Sequence, residues 1–257
     1  MVETRQVNGR NVTFRYERGR APTLVCIHAS SLNHHAYDRL LDALPDRDRY
    51  AIDLPGRAGT VGPPLRTVKE MERFLTDFLE SEVEGDYVLV GHSIGGGIAI
   101  EHALTSSRGR LKGIVLLATG ARLRVHPMIL QLFEQAPKPG MLPPVPPGLY
   151  EKNADADLIA EASKHRELTP FETAGTDWRA ADRFDRLHDL DDIQVPALII
   201  VGTNDAFTPP KYAEYLAANI AQNELHVIEG AGHMLVMERV PEVARWIDGF
   251  LSDLDSR

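Results

Sequence analysis

The segment Gly91-His92-Ser93-Ile94-Gly95 has the residue types and the spacing of a turn that presents a serine nucleophile. An apolar run, residues 87–90, precedes it, and an Ala- and Gly-rich run, residues 96–100, follows. A serine hydroxyl is held clear of a sheet only in a strained turn between strand and helix, where side chains at positions 91 and 95 would collide. Glycine removes that collision, so we predict a nucleophile at Ser93 rather than an ordinary glycine-rich turn.

A serine nucleophile needs a histidine base, because the free hydroxyl is a poor nucleophile, and the base needs an acid to orient it. The chain has ten histidines. His233 follows a loop of small residues, 230–232, directly after the last predicted strand, and a parallel sheet delivers such residues to the edge where Ser93 lies. Seven of the other histidines fall within or at the start of predicted helices, within a strand or in residues 119–191. We therefore predict His233 as the base, with activity that rises with pH as histidine loses its proton.

The predicted acid is Asp205, which lies just past the apolar run 197–201 and so reaches the same edge of the sheet. The other position for an acid, after the run 114–117, offers only Ala, Thr, Gly and Ala. The remaining acidic candidates lie at the opposite edge or too close to the histidine in sequence: Asp191, Asp192 and Glu229. The chain order is then nucleophile, acid, histidine.

Short apolar runs alternate with helical periodicity along most of the chain, and this alternation must position the three residues. Residues 4–7 and 12–17 flank Asn8-Gly9, which predicts a hairpin. The later pattern predicts strands at 24–27, 50–53, 87–90, 114–117, 197–201 and 225–228, and helices at 35–44, 68–83, 211–220, 242–254 and directly after Ser93. Such alternation indicates an α/β fold, with right-handed crossovers and a mostly parallel sheet that has helices on both faces.

Residues 119–191 break this alternation and are predicted as helices without a strand. Six prolines within residues 137–148 exclude a helix interior or a central strand, so this stretch is predicted as an irregular tether between helices. A polyproline ligand for a partner domain is the alternative, although Met141-Leu142 interrupts its spacing. The large apolar residues of the region are expected mostly to pack against one another, with a minority facing a substrate: Met128, Ile129, Leu130, Leu132, Phe133, Phe171 and Trp178.

The composition argues against several classes of partner. The chain has 257 residues, of which 43% are hydrophobic, and a formal net charge of -9 without clustered Lys and Arg, so we expect no nucleic-acid partner. Cys26, the one cysteine, lies in an apolar run and is predicted to be a small buried side chain. No run approaches the ~18 apolar residues of a membrane span, and residues 1–5 lack an apolar signal core. We therefore expect no membrane partner and a cytoplasmic location.

Three motifs together resemble those of the α/β-hydrolase superfamily, specifically its small serine esterase-like members with a helical cap, over nearly the full length of the chain. Gly91-His92-Ser93-Ile94-Gly95 is similar to the nucleophile elbow, Asp205 with Pro209 to the acid loop, and Gly232-His233 to the histidine loop. Serine in the elbow excludes the haloalkane and epoxide branches, which carry aspartate there. The resemblance implies an α/β-hydrolase core domain at residues 1–119 and 192–257, and a helical cap at residues 120–191, hereafter the cap segment.

The resemblance also implies an oxyanion hole, formed by one backbone N–H after the third strand and one after the nucleophile. Similar proteins have a His-Gly pair in the first loop, whereas this chain has His28-Ala29. The predicted donors are the N–H groups of Ser30 and Ile94, with the N–H of Ala29 as the alternative to that of Ser30. Similar proteins tend to have His-Gly where this chain has Arg57 followed by alanine. We expect Arg57 to be a surface arginine, with a position at the mouth of the pocket as the alternative.

The residues and the resemblance together imply acyl transfer to water through an acyl-enzyme on Ser93, with His233 as base and Asp205 orienting it. The predicted substrates are small to medium carboxylic esters, and no metal or organic cofactor is expected. A lactone or a thioester suits the same triad, and a slow-turnover ligand-binding or signalling protein is the alternative of another class. Carbon–carbon bond hydrolysis, perhydrolysis and cyanohydrin cleavage also occur on similar scaffolds. The expected partner is a small-molecule ester, bound by a monomer or a homodimer.

Overall fold

The central feature of the fold is one eight-stranded sheet, seen in a computed structural model that describes residues 1–106, 109–134, 138 and 140–256. Its strands are β1 (Val2–Val7), β2 (Arg10–Glu17), β3 (Arg20–Ile27), β4 (Arg47–Ile52), β5 (Tyr87–His92), β6 (Leu111–Leu117), β7 (Ala197–Gly202) and β8 (Asn223–Ile228). They lie in the order β1-β2-β4-β3-β5-β6-β7-β8. The first two strands form an antiparallel hairpin, β2 pairs antiparallel with β4, and the remaining pairs are parallel. The predicted α/β fold, its hairpin and its strands are confirmed.

The helices are α1 (Asp38–Asp42), α2 (Val68–Glu82), α3 (Ile94–Thr105), α4 (Pro127–Leu132), α5 (Ala156–Lys164), α6 (Phe171–Asp182), α7 (Pro210–Asn219), α8 (Leu235–Glu238) and α9 (Val240–Asp255). The predicted helix at 35–44 begins as a 3-10 turn, His34–Tyr37, before α1. Thr67 caps α2, because its hydroxyl accepts the N–H of Glu70 at 3.1 Å. Among the described residues, no helix is both long enough and apolar enough to cross a lipid bilayer.

Both faces of the sheet are covered, because side chains of successive strand residues point to opposite sides. In β3, Val25 and Ile27 join a buried cluster that includes the apolar stripe of α2, whereas Leu24 and Cys26 join a cluster that includes α1 and α9. Cys26 is 1% exposed, and burial raises the pKa of its thiol, so its predicted role as a small buried side chain is confirmed. This packing fixes the strand ends that carry the candidate site.

The segment between β6 and β7 contains α4, α5 and α6. In its described residues the β pairing consists of one isolated bridge, between Arg122 and Asp185. A small buried cluster of its own joins Phe133, Phe171 and Trp178. Within the predicted proline-rich tether, residues 138 and 140–148 have no helix or strand, and positions 137 and 139 lie outside the described residues. The division into a core domain and a cap segment stays a prediction.

Candidate active site

The serine turn joins β5 to α3 in a strained conformation. Ser93 has φ 55° and ψ -116°, which is a rare backbone conformation for a residue other than glycine. A Cβ at Gly91 would lie 2.3 Å from the carbonyl oxygen of Gly95, which is the predicted collision across the turn. A Cβ at Gly95 would instead lie 2.1 Å from the carbonyl oxygen of Ile27 in β3. The second glycine is therefore required by the neighbouring strand, which the spacing of the motif did not show.

Two hydrogen bonds from β6 and the residues after it hold this turn. The Ser93 N–H donates to the carbonyl oxygen of Leu117 at 2.9 Å, and the Thr119 hydroxyl donates to the carbonyl oxygen of Ser93 at 2.6 Å. A strained conformation persists only where its surroundings determine it, and these bonds do so on both sides of the serine. The serine side chain is nearly buried, with 7% of its surface exposed.

Asp205 and His233 form a buried pair at the same edge of the sheet. The distance from His233 Nδ1 to Asp205 Oδ2 is 2.9 Å. The carboxylate also accepts the N–H groups of Phe207 and Thr208 at 2.8 and 2.9 Å and the Thr208 hydroxyl at 2.7 Å. Burial raises the pKa of Asp205, but the adjacent His233 and the bonds from Thr208 outweigh it and hold the pKa well below its usual range. An ionised carboxylate in this place fixes the His233 tautomer with the proton on Nδ1, which leaves Nε2 without a proton and able to accept one.

His92, the residue directly before Ser93, supports the loop that carries His233. Its Nε2 donates to the carbonyl oxygen of His233 at 2.9 Å. Burial, with a smaller contribution from the His233 charge, lowers the pKa of His92 to about 3, so its ring is neutral at physiological pH. No local pattern indicated this role, because the two residues are 141 positions apart.

The loop after β3, residues 28–32 and hereafter the oxyanion loop, lies beside Ser93, because residues 29–32 and Ser93 line the same cavity. Among the described residues, no acceptor is bound to the N–H groups of Ala29, Ser30 or Ile94, so both predicted donors and the alternative are free to bind a substrate oxygen. The Ser30 hydroxyl is buried without a hydrogen-bond partner in the described part of the chain. Ile94 is the first residue of α3, where the positive end of the helix dipole favours an anion.

His28 anchors the start of the oxyanion loop as a neutral ring. Its Nδ1 donates to the carbonyl oxygen of Ala29 at 2.9 Å, and its Nε2 accepts the N–H of Leu54 at 3.3 Å. Burial and the nearby Arg57 charge hold the pKa of His28 well below its usual value, which agrees with one donor and one acceptor nitrogen.

The expectation of a surface position for Arg57 is wrong. Arg57 is 3% exposed, and its guanidinium binds both oxygens of the buried Asp177 in α6, at 2.6 and 2.7 Å. The partners are 120 positions apart, so neither the local pattern nor the motif around Arg57 indicated a carboxylate for it. This ion pair connects the loop after β4 to the cap segment.

Two cavities meet at Ser93. The larger measures about 830 Å³ and opens toward the cap segment, and the smaller measures about 30 Å³ and is also lined by Ser30 and His233. Trp178 lines both, and residues 143–146 of the proline-rich stretch line the smaller one. The structure thus brings Ser93, Ser30 and His233 around one space.

The apolar residues of the cap segment face the larger cavity more often than predicted. Of the seven large apolar residues named in the sequence analysis, four line it: Met128, Ile129, Leu132 and Trp178. Met128 is 62% exposed, so it does not pack into a cap core. The basic residues Arg124, His126 and Lys211 also line this cavity, and its described lining contains no Asp or Glu. Among the described residues, no group of three or more His, Cys, Asp or Glu side chains could hold a metal ion.

Comparison with known proteins agrees with this geometry. A model of the Alpha/beta hydrolase family matches residues 24–246. The chain belongs to this family. The alpha/beta hydrolase described here is 27% identical to the uncharacterized hydrolase YugF of Bacillus subtilis (strain 168), over 95% of this chain and 96% of the relative. It is 28% identical to the pimeloyl-[acyl-carrier protein] methyl ester esterase of Neisseria meningitidis serogroup C, over 80% and 84%.

The alpha/beta hydrolase also resembles solved structures over its whole length. A thermophilic esterase shares 30% identity with it at a TM-score of 0.81, and 99% of each chain is covered. Esterases therefore occur among both its sequence relatives and its structural neighbours, which supports an ester-hydrolysing enzyme.

Proposed function

We propose that this alpha/beta hydrolase is a serine carboxylesterase that uses Ser93, His233 and Asp205. The observation that carries the proposal is the buried Asp205–His233 pair, which shares a cavity with a serine held in a strained turn. Structural histidines and glycine-rich turns occur separately in many proteins. Here they converge beside the unbonded N–H groups of Ser30 and Ile94, as acyl transfer requires.

In the proposed reaction, the Ser93 hydroxyl attacks the ester carbonyl carbon and its proton passes to His233 Nε2. The N–H groups of Ser30 and Ile94 bind the oxyanion that forms on the carbonyl oxygen. His233 returns the proton to the leaving alcohol, and the carbonyl is re-formed as the acyl-enzyme. Water then attacks this ester with His233 again as base, which releases the acid and restores the serine. Asp205 keeps the imidazole in the required tautomer throughout.

The two cavities support a substrate with one short side and one longer apolar side. The smaller cavity, about 30 Å³, is much smaller than the larger one, so it suits a short group such as methyl. The larger cavity, about 830 Å³, suits a medium acyl chain against the apolar side chains of the cap segment. The N. meningitidis relative is named for a methyl ester. We therefore assign a small alcohol to the smaller cavity and the acyl chain to the larger one.

Charge in the larger cavity adds a preference to this proposal. Neither Arg124 nor Lys211 pairs with a carboxylate in the described part of the chain, and the described lining has no acid, although the chain carries a net charge of -9. An acyl chain that ends in an anion would gain from both cations, more strongly at low salt. The monomethyl ester of a dicarboxylic acid, which keeps one free carboxylate, should therefore be hydrolysed faster than the methyl ester of a monocarboxylic acid of the same chain length.

The test is steady-state hydrolysis of p-nitrophenyl esters, from acetyl to dodecanoyl, by the wild type, Ser93→Ala and His233→Ala. We expect multiple turnovers by the wild type and a loss of about a thousandfold or more in kcat for both variants. Ser252→Ala and His188→Ala, which change exposed residues, are the matched controls. Equal and slow rates for all five proteins would reject the proposal. A stoichiometric burst followed by a stall would favour the ligand-binding alternative, and faster turnover of lactones or thioesters would reassign the substrate.

The orientation of the substrate is tested with two isomers, methyl octanoate and heptyl acetate, which place the same atoms on opposite sides of the ester. We expect the higher kcat/KM for methyl octanoate, because its short side suits the smaller cavity. A higher value for heptyl acetate would keep the esterase proposal but reverse the assignment of the two cavities.

A further inference from the structure

We propose that Asp177 is a positioning residue for the oxyanion hole, through which α6 of the cap segment holds the loop that carries the Ser30 N–H. The inference rests on the proposed serine esterase function. It concerns a carboxylate that makes no hydrogen bond to Ser93 or His233. The resemblance to similar proteins did not indicate a role for it.

The loop residue next to the hole, Ser31, adopts a conformation that needs support. Its φ is 65°, in the left-handed region that residues other than glycine rarely adopt. The Ser31 N–H donates to Asp177 Oδ2 at 3.0 Å, and the Ser31 hydroxyl accepts the indole N–H of Trp178 at 2.9 Å. Both partners lie in α6, so the cap segment holds this residue by its backbone and its side chain.

The orientation of the Ser30 N–H follows from this conformation. The carbonyl of Ala29 and the N–H of Ser30 belong to one planar trans peptide and point in opposite directions. The Ala29 carbonyl oxygen accepts two hydrogen bonds, from His28 Nδ1 at 2.9 Å and from the Leu32 N–H at 3.2 Å. The second bond requires Ser31 to turn the chain back on itself. The Asp177 bond to Ser31 therefore fixes the peptide plane that aims the Ser30 N–H at the oxyanion.

Arg57 makes this carboxylate usable close to the site. An unpaired carboxylate beside the hole would repel the developing oxyanion, and a buried one carries a large desolvation cost. Arg57 binds both oxygens of Asp177, and its Nη1 also donates to the carbonyl oxygen of Leu32 at 3.1 Å. The ion pair thus neutralises Asp177 and holds the far end of the same turn. Its partners are 0% and 1% exposed at their side chains, so solvent does not compete for these bonds.

The experiment compares Asp177→Asn with the double variant Asp177→Ala/Arg57→Ala, which removes the pair without leaving a buried unpaired charge. Glu172→Ala, which removes an exposed carboxylate from the same helix, is the matched control. We expect each test variant to lower kcat for p-nitrophenyl acetate about 10- to 100-fold, with KM changed less than about threefold, because deleting an oxyanion donor outright costs about 100- to 1,000-fold. Affinity for an aryl trifluoromethyl ketone, whose adduct on Ser93 carries an oxyanion, should fall by a similar factor.

A second readout is independent of esterase activity. Hydrogen–deuterium exchange of the peptide covering residues 28–34 should become at least tenfold faster in both test variants, whereas peptides of β5 and β6 keep the wild-type rate and so report an intact fold. Unchanged exchange in this peptide, or kcat within twofold of the wild type in both variants, would overturn the proposal. If the wild type hydrolyses no ester, the proposed function fails, and the exchange measurement still decides whether Asp177 holds the loop.

Discussion

The two halves of the proposed active site are held by different parts of the molecule. In the acid–histidine half, Asp205 is bound by N–H groups two and three positions away, and His233 is supported by His92 at the end of β5. In the oxyanion half, Ser31 is bound by Asp177, 146 positions away in the cap segment. In the proposed mechanism, the residues that activate the nucleophile thus belong to the loops at the sheet edge, whereas the shape of the proposed oxyanion hole depends on a helix outside the sheet.

This difference has a consequence for how substitutions act. A change in the acid–histidine half alters proton transfer itself, which contributes to every step of the reaction. A change in the α6 residues that bond to Ser31 alters only the orientation of the Ser30 N–H. Its effect is therefore smaller and depends on the position of α6. The predictions below test the comparison in order of decreasing effect.

The largest effect is expected for Asp205→Asn. The amide cannot stabilise the imidazolium of His233 and favours the other tautomer, so kcat should fall about 10,000-fold with little change in fold. Steady-state kinetics with p-nitrophenyl acetate measure the loss, and Asp253→Asn in α9 is the control for an exposed carboxylate. A loss no greater than that of Asp177→Asn would remove the proposed difference between the two halves.

Gly95→Ala should disturb the serine turn and the oxyanion half together. The added methyl would press on the carbonyl oxygen of Ile27, at the point where β3 leads into the oxyanion loop. We expect the free energy of unfolding to fall by about 3 kcal/mol, because the new methyl would meet backbone atoms of Ile27 and His28, which have little room to move. Urea unfolding measures it. Gly249→Ala in α9, where no atom lies within 4 Å of the new methyl, should instead be neutral or slightly stabilising.

His92→Gln should make the protein less sensitive to acid. The pKa of His92 is about 3 in the folded protein and about 6.5 in the unfolded chain, so between these values only the unfolded chain binds the proton. The stability that the neutral ring contributes is therefore present above pH ~6.5 and is lost as pH falls, by about 2 kcal/mol between pH 7 and pH 5. Glutamine can still donate to the His233 carbonyl oxygen but does not titrate.

The measurement is the free energy of unfolding from urea titrations at both pH values. The wild type should lose about 2 kcal/mol more than His92→Gln between them. Equal losses in the two proteins would show that His92 titrates alike in the folded and unfolded chains, and that it is not the neutral donor described above.

The smallest effect is expected for Trp178→Phe, which keeps an aromatic ring and removes only the N–H that donates to the Ser31 hydroxyl. One neutral hydrogen bond contributes about 0.5 to 1.5 kcal/mol, so kcat should fall by about 2- to 10-fold. Trp246→Phe in α9, far from the loop, is the matched control. A loss as large as that of Asp177→Asn would mean that the indole, rather than the carboxylate, is the main support of the oxyanion half.

Much of the fold follows from local patterns in the sequence. Asn8-Gly9 predicted the hairpin, and short apolar runs predicted the strands that precede Ser93 and Asp205, because both signals depend only on neighbouring residues. The candidate site followed from topology, since residues after parallel strands share one edge of the sheet. Met128 shows where this approach ends: its apolar character indicated a cap core, but its side chain is 62% exposed beside a cavity.

The sequence by itself determined the α/β architecture and indicated Ser93, Asp205 and His233 as candidates. Motif spacing and the succession of strands and helices along the chain are local properties, so they can be read without the tertiary structure. Only the tertiary structure decided that Arg57 is buried, that it pairs with Asp177, and that His92 supports the histidine loop. Each of these contacts joins residues more than a hundred positions apart. No periodicity or motif encodes such a pairing, because it exists only once the sheet has brought the separate loops and the helices of the cap segment to a common edge.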